Sequence, residues 1–198
     1  MKKLTSLLGV CLLLCGCSLG DLTQPVNEPP IGQVMLQSVA TCNLPIAAPL
    51  SRSLFIQEVD AVAPYDQNAM WYSPEPSELK SYSYHQWAAP PAIALQQLVA
   101  DAIRNSGRYG SVWAGATANA AGGNVLSLQL LSFCQDIGAK TVHLRMVAEL
   151  NNQNKVSSQV FDVTVPASAD YAGMVSGAGE AANQAACSVA KWVVTAGS

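Results

Sequence analysis

Residues 82–112 read "YSYHQWAAPPAIALQQLVADAIRNSGRYGSV", and this stretch predicts a strand, a helix and a second strand in direct succession. Pro90 and Pro91 suit the start of the helix because proline is favoured at the first helical positions, and Gly107 suits its end. Apolar residues at 3.6-residue spacing form one face of this helix, which is the face expected to be buried. Its members are Leu95, Leu98, Val99, Ala102 and Ile103.

On both sides of this stretch, apolar residues recur with the two-residue period of strands or the 3.6-residue period of helices. They predict strands at 34–41, 53–62, 70–73, 79–87, 109–115, 124–135, 140–150 and 155–165, and a second, Ala/Gly-rich helix at 170–195. The last three strands are joined by "DIGA" and "NNQN", whose residues favour tight hairpin turns. The fold class predicted is α/β, with a mixed, largely antiparallel sheet of about five to six strands and two main helices.

The N-terminus reads "MKKLTSLLGVCLLLCGCS", in which two lysines precede a short apolar run. This pattern is typical of a secretory signal peptide, and the run is too short to span a bilayer. Leu14–Cys17 reads "LCGC", a bacterial lipobox, which predicts a signal peptide over 1–16 and a lipid on Cys17, including an N-acyl chain such as palmitate. An ordinary secreted protein cleaved nearby is the alternative. Ser18, in place of an aspartate, favours sorting to the outer membrane.

After Cys17 the chain divides into a polar, proline-bearing tether over 17–32 and a single domain over 33–198. Removal of Lys2 and Lys3 with the signal peptide leaves 8 basic against 13 acidic residues, a net charge of about −5. The sequence contains no basic stripe, which argues against nucleic acid as a partner.

Three cysteines remain for the domain: Cys42, Cys134 and Cys187. They allow at most one intramolecular disulfide in an oxidising periplasm, and the spacing leaves the bonded pair open. The remaining thiol is expected to be a small buried side chain. No cysteine or histidine spacing matches a zinc site, so no metal and no cofactor are predicted.

Two histidines are the candidates for chemistry. His143 lies on a strand and is expected to face outward together with Thr141, Arg145 and Glu149. His85 lies in residues 81–87, where strict alternation divides the side chains between two faces. One face would carry Ser81, Ser83, His85 and Trp87, and the other Tyr82, Tyr84 and Gln86. No serine sits in a Gly-x-Ser-x-Gly elbow, so the chain is predicted not to be an enzyme. A hydrolase using a serine with either histidine is the alternative.

One resemblance is specific. The aromatic strand leading into Trp-Ala-x-Pro, an amphipathic helix and a Gly-x-Tyr-x-x-Val segment resembles the ABC-type transport auxiliary lipoprotein family over about residues 35–195. The matching residues are Tyr82, Tyr84, Trp87, Ala88, Pro90, Gly107, Tyr109 and Val112, with Phe133 and Gln135 in a later strand. Gln86 and Ser73 depart from the family, which often has arginine at these positions.

The resemblance implies a lipoprotein on the periplasmic face of the outer membrane. It would be an auxiliary or docking component of an MCE-type ABC system that moves lipids or other hydrophobic molecules between membranes. Its implied partners are the MCE-family periplasmic protein, the membrane through the lipid anchor, and further copies of itself. The partner-binding or structural motif would comprise Tyr82, Tyr84, Trp87 and Pro90, with Trp87 packed beneath the helix. A passive envelope-assembly lipoprotein is a second alternative.

Overall fold

The computed structural model describes residues 30–36, 42–115, 123–152 and 155–196. The predicted signal peptide, Cys17 and the tether up to residue 29 lie outside these ranges. Within them, no helix has the length and hydrophobicity needed to cross a membrane.

The described residues form nine strands and two helices. They are β1 (Gly32–Val34), β2 (Leu50–Ile56), β3 (Asp60–Ala61), β4 (Ala69–Ser73), β5 (Lys80–Trp87), α1 (Pro91–Asn105), β6 (Tyr109–Ala114), β7 (Asn124–Asp136), β8 (Thr141–Asn152), β9 (Lys155–Pro166) and α2 (Tyr171–Ala196).

Strand β7, with 13 residues, is the centre of the sheet. One of its edges pairs along its length with β8, and β8 pairs with β9, so the longest ladders are antiparallel. The other edge of β7 pairs with three short strands in turn: β2, β3 and β4 each run parallel to β7 and pair with successive segments of it. Outside these, β6 pairs with β2, β5 pairs with β4, and β1 pairs with β5. The predicted mixed sheet is confirmed, with more strands than expected, in part because the run at 53–62 divides into β2 and β3.

Both helices cover one face of this sheet. The alternating buried residues of β8 lie on that face, and α2 packs on them closely because its contact residues are small. A side-chain carbon added at Gly177 would lie 2.7 Å from Cγ2 of Val142. The opposite face of the sheet carries no helix among the described residues, and its side chains are partly exposed.

The predicted ends of α1 are confirmed: Pro91 is its first residue, and Gly107 adopts a positive φ of 65° just beyond it. A left-handed residue of this kind suits glycine and ends the helix. Strand β1 differs from the prediction, since it begins at Gly32 and ends at Val34, where its parallel pairing with β5 ends. The rest of the predicted strand has no regular structure at 35–36 and lies outside the described residues at 37–41.

The bonded cysteine pair is Cys42–Cys187, which ties the segment before β2 to α2. Cys134 on β7 is the free thiol. Its half-buried position raises the pKa of the thiol, so it stays protonated and weakly nucleophilic at neutral pH.

Candidate functional site

Trp87, at the end of β5, is a core residue. It is 2% exposed and stacks on Phe133 of β7, with ring centroids 5.9 Å apart and planes inclined by 3°. Its backbone N–H donates to the carbonyl of Asn68 at 2.7 Å. Pro90 follows as the residue that caps α1. This half of the aromatic stretch therefore positions the helix.

Tyr82 joins three elements through a buried amide. Its hydroxyl donates to Oε1 of Gln135 at 2.6 Å, and Gln135 is fully buried on β7. Nε2 of Gln135 donates in turn to the carbonyls of Ser168 and Asp170, at 2.6 and 3.1 Å, just before α2 begins. Burial raises the pKa of the Tyr82 phenol, which keeps it protonated as the donor. The network fixes β5, β7 and the start of α2 relative to one another.

The expected division of residues 81–87 between two faces is wrong. Tyr82 and Trp87 both reach the helix-covered side of β7, and His85 stacks on Tyr171 of α2 at 3.7 Å, a ring that also contacts Tyr82. The reason is a bulge, because one residue of β4 lies opposite four residues of β5. Extra residues in one strand break the two-residue alternation.

Tyr84 is the exposed member of the stretch, with 56% of its surface accessible. The pairing of Gly32 with His85 places Ile31 beside Tyr84 at the edge formed by β1 and β5. Ile31 is 55% exposed, and Met35, just past β1, is 67% exposed. We call these three residues, Ile31, Met35 and Tyr84, the Tyr84 edge. Ile31 and Tyr84 are neighbours across the two strands, and Met35 follows four residues further along the chain. Exposed apolar side chains that lie close together are typical of interaction sites. The N-terminal segment also enters the domain here, directly before Ile31.

The open face of the sheet brings together a second set of residues that the sequence did not predict as a group. Oγ of Ser132 lies 3.2 Å from Nδ1 of His143, and Nε2 of His143 lies 2.7 Å from Oδ1 of Asp162. The three residues come from β7, β8 and β9, and only the strand register makes them neighbours. Nε of Arg145 also lies 3.7 Å from the Asp162 carboxylate. His143 faces outward, as expected.

A Ser–His–Asp set has the residue types used for acyl transfer, but its chemistry depends on its setting. Here the side chains of His143 and Asp162 are 32% and 55% exposed, on a strand face. In the catalytic template the carboxylate is buried and holds the imidazole in one orientation. An exposed carboxylate shared with Arg145 matches a solvated ion-pair cluster better.

Metal binding finds no support in the described ranges, where no three histidine, cysteine or acidic residues come together as ligands.

A lipobox in the sequence followed by a two-layer α/β domain is the organisation expected of an envelope lipoprotein. The chain belongs to the family described as the ABC-type transport auxiliary lipoprotein component, whose sequence profile matches residues 35–190. It is therefore a lipoprotein associated with an ABC transport system. No curated protein matches it.

Solved structures share the fold. A protein from Xanthomonas campestris assigned to the family DUF330 is 23% identical, with a TM-score of 0.72 over 83% of this chain and 96% of that one. An uncharacterised protein is 14% identical, with a TM-score of 0.66 over 83% and 99% of the two chains. A PelC dodecamer from Paraburkholderia phytofirmans reaches 0.45 at 14% identity, over 77% and 96%, and a match at this level supports no inference.

Proposed function

We propose that this chain is anchored in the outer membrane through Cys17 and docks on the MCE-family periplasmic protein of an ABC system that moves lipids or other hydrophobic molecules. The observation that carries the docking proposal is the Tyr84 edge. It exposes large apolar side chains at and just beyond a sheet edge, while Tyr82 and Trp87 of the same aromatic stretch pack inward. Family membership supports the link to transport.

The mechanism proposed is positional. The lipid holds the chain at the membrane, and the residues between Cys17 and β1 reach on the order of 45 Å when extended at about 3.1 Å per residue. The described chain begins at residue 30, directly before Ile31, so the tether joins the domain beside the Tyr84 edge. The domain then holds its partner at a bounded distance from the outer membrane.

Site-specific photo-crosslinking tests the docking surface. A photoreactive phenylalanine at position 84 should capture the MCE-family protein from membranes of the native organism. Trp113 on β6 is the matched control, because it is an aromatic with 60% exposure on a different strand. Capture at position 113 but not at 84 would reject the Tyr84 edge as the docking surface. If no MCE-family protein were captured at either position, a passive envelope-assembly lipoprotein would become the better description.

We further propose that the chain acts without catalysis. Among the residues that the structure describes, the exposed Ser132–His143–Asp162 set is the arrangement that most favours a hydrolase, so it provides the test. His143→Ala should complement a deletion strain at near wild-type level, and so should His85→Ala. Loss of complementation by a folded, correctly localised His143→Ala protein that Ser132→Ala reproduces would establish a hydrolase instead.

A further inference from the structure

Strand β9 forms a long, regular edge of the sheet. Its 12 residues pair with β8 without a register shift, and in the described ranges it pairs with no other strand. Its outer backbone N–H and C=O groups are therefore available to another strand.

Natural edge strands are usually blocked by lysine, proline or a bulge. In β9, Lys155 is the first residue and Pro166 the last, so neither interrupts the strand between them. The remaining charge is Asp162, whose carboxylate contacts His143 and Arg145 on β8. Residues 156–161, between Lys155 and Asp162, carry no charge, so this part of the edge lacks a blocking residue.

The exposed valines of β9 show which strand fits this edge. Val156 is 59% exposed and Val160 is 49% exposed. They lie on the open face of the sheet, four residues apart, with Ser158 midway between them. The arrangement is symmetric about Ser158, so β9 is complementary to an antiparallel copy of itself.

We propose that a second copy of this chain pairs with β9 across a two-fold axis at Ser158. Such an axis, perpendicular to the sheet, keeps residues of the same parity on the same face in both copies. Val156 of each copy then lies opposite Val160 of the other, and the exposed valines are covered. The two sheets become one continuous sheet.

The helix-covered side supports the same register. A groove of about 490 Å³ runs between β9 and α2, and its lining includes Phe161, Lys191 and Trp192. The rings of Phe161 and Trp192 meet edge to face at 5.9 Å. In this register Lys155 of the second copy lies opposite Phe161, where its aliphatic stem can cover the ring and its ammonium can approach the indole.

The proposed interface leaves the Tyr84 edge free, because β1 and β9 are at opposite sides of β7 in the sheet. Two copies anchored in one leaflet would also meet at a raised effective concentration, which favours even a weak contact.

Disulfide trapping tests both the contact and its register. The mature lipidated chain would be used in detergent, with Cys134→Ala as background, and treated with a mild oxidant. Ser158→Cys should form covalent dimers, since directly opposed residues have Cα atoms about 4.5–5.5 Å apart, within disulfide range. Val160→Cys alone should not, because its two copies would be offset by about 13 Å along the strands. Val160→Cys mixed with Val156→Cys should crosslink again.

Adding Val160→Asp to Ser158→Cys should reduce the dimer yield at least tenfold. Equal crosslinking by Val160→Cys and Ser158→Cys would overturn the proposal, since it would indicate random collision or another register. So would a Ser158→Cys protein that stays uncrosslinked and sediments as a monomer at roughly 100 µM, well above the micromolar range in which a specific contact should form.

Discussion

Replacement of Trp87 by alanine tests whether the aromatic stretch is primarily part of the scaffold. Trp87 is 2% exposed and stacked on Phe133, which is equally buried, so the substitution leaves a cavity that the surrounding sheet cannot easily close. Truncation of a buried aromatic costs about 3–5 kcal/mol. That is a large share of a typical unfolding free energy of about 5–15 kcal/mol.

For a chain of this size, each kcal/mol shifts Tm by about 2–4 °C, so Trp87→Ala should lower Tm by roughly 6–20 °C. Trp87→Phe should recover part of the loss because it keeps a ring beside Phe133. Tyr84→Ala, at an exposed site, should change stability by no more than about 0.5 kcal/mol.

Thermal unfolding by circular dichroism and capture of the MCE-family protein would be measured side by side for these variants. The reasoning is refuted if Trp87→Ala melts with wild type while losing its partner, because Trp87 would then belong to an interface.

Four further outcomes are expected. Gln135→Leu removes three hydrogen bonds to partly buried or exposed groups, each worth about 0.5–1.5 kcal/mol, so it should lower the urea midpoint. An unchanged midpoint would show that the network is dispensable. Burial raises the pKa of Tyr65 from 10.0 to about 12, so stability should be full below pH 10.0 and decline towards pH 12. In a titration of phenol absorbance against pH, Tyr65→Phe should remove the ionisation that occurs at the highest pH. Identical curves for the wild type and the variant would contradict this. The double variant Cys42→Ser/Cys187→Ser removes a disulfide between residues 145 positions apart, so it should lower the free energy of unfolding by about 2–5 kcal/mol. A wild-type protein whose stability is unchanged by reductant would contradict this. Hydrogen bonds from Gly173 and Ser168 lower the pKa of Asp170 from 3.8, so its contribution is present above pH 3.8 and lost as pH falls below it. Asp170→Asn should remove this acid-dependent contribution to stability. Identical acid-unfolding curves for the wild type and the variant would show that Asp170 makes no such contribution.

Much of the fold follows from periodicity alone. The helix at Pro91–Asn105 is marked by its prolines, its apolar stripe and Gly107, all of which are local signals. The bounds predicted for the hairpin strands β7, β8 and β9 agree with the structure to within about two residues, because alternation extends over most of their length and turn residues separate them. Short strands gave weaker signals, and β1 and β3 show this, since three and two residues carry no measurable period.

The candidate sites depended on information that the sequence does not display. The faces of the aromatic residues in β5 depend on a bulge, which is visible only in the pairing of β5 with β4. Ser132, His143 and Asp162 meet only because two ladders have a particular register.

The sequence by itself determined the local structure, the family and the expected lipid anchor, because each depends on a pattern of residues that are close together in the chain. Tertiary structure decided which cysteines bond, which tyrosine is exposed and which strand forms the open edge. Those properties depend on contacts between segments far apart in sequence. Cys42 and Cys187 illustrate this, since they are separated by 145 positions in the sequence and their Cα atoms are 5.3 Å apart. Burial and proximity of this kind follow from how the whole chain packs, so no single stretch of sequence can specify them.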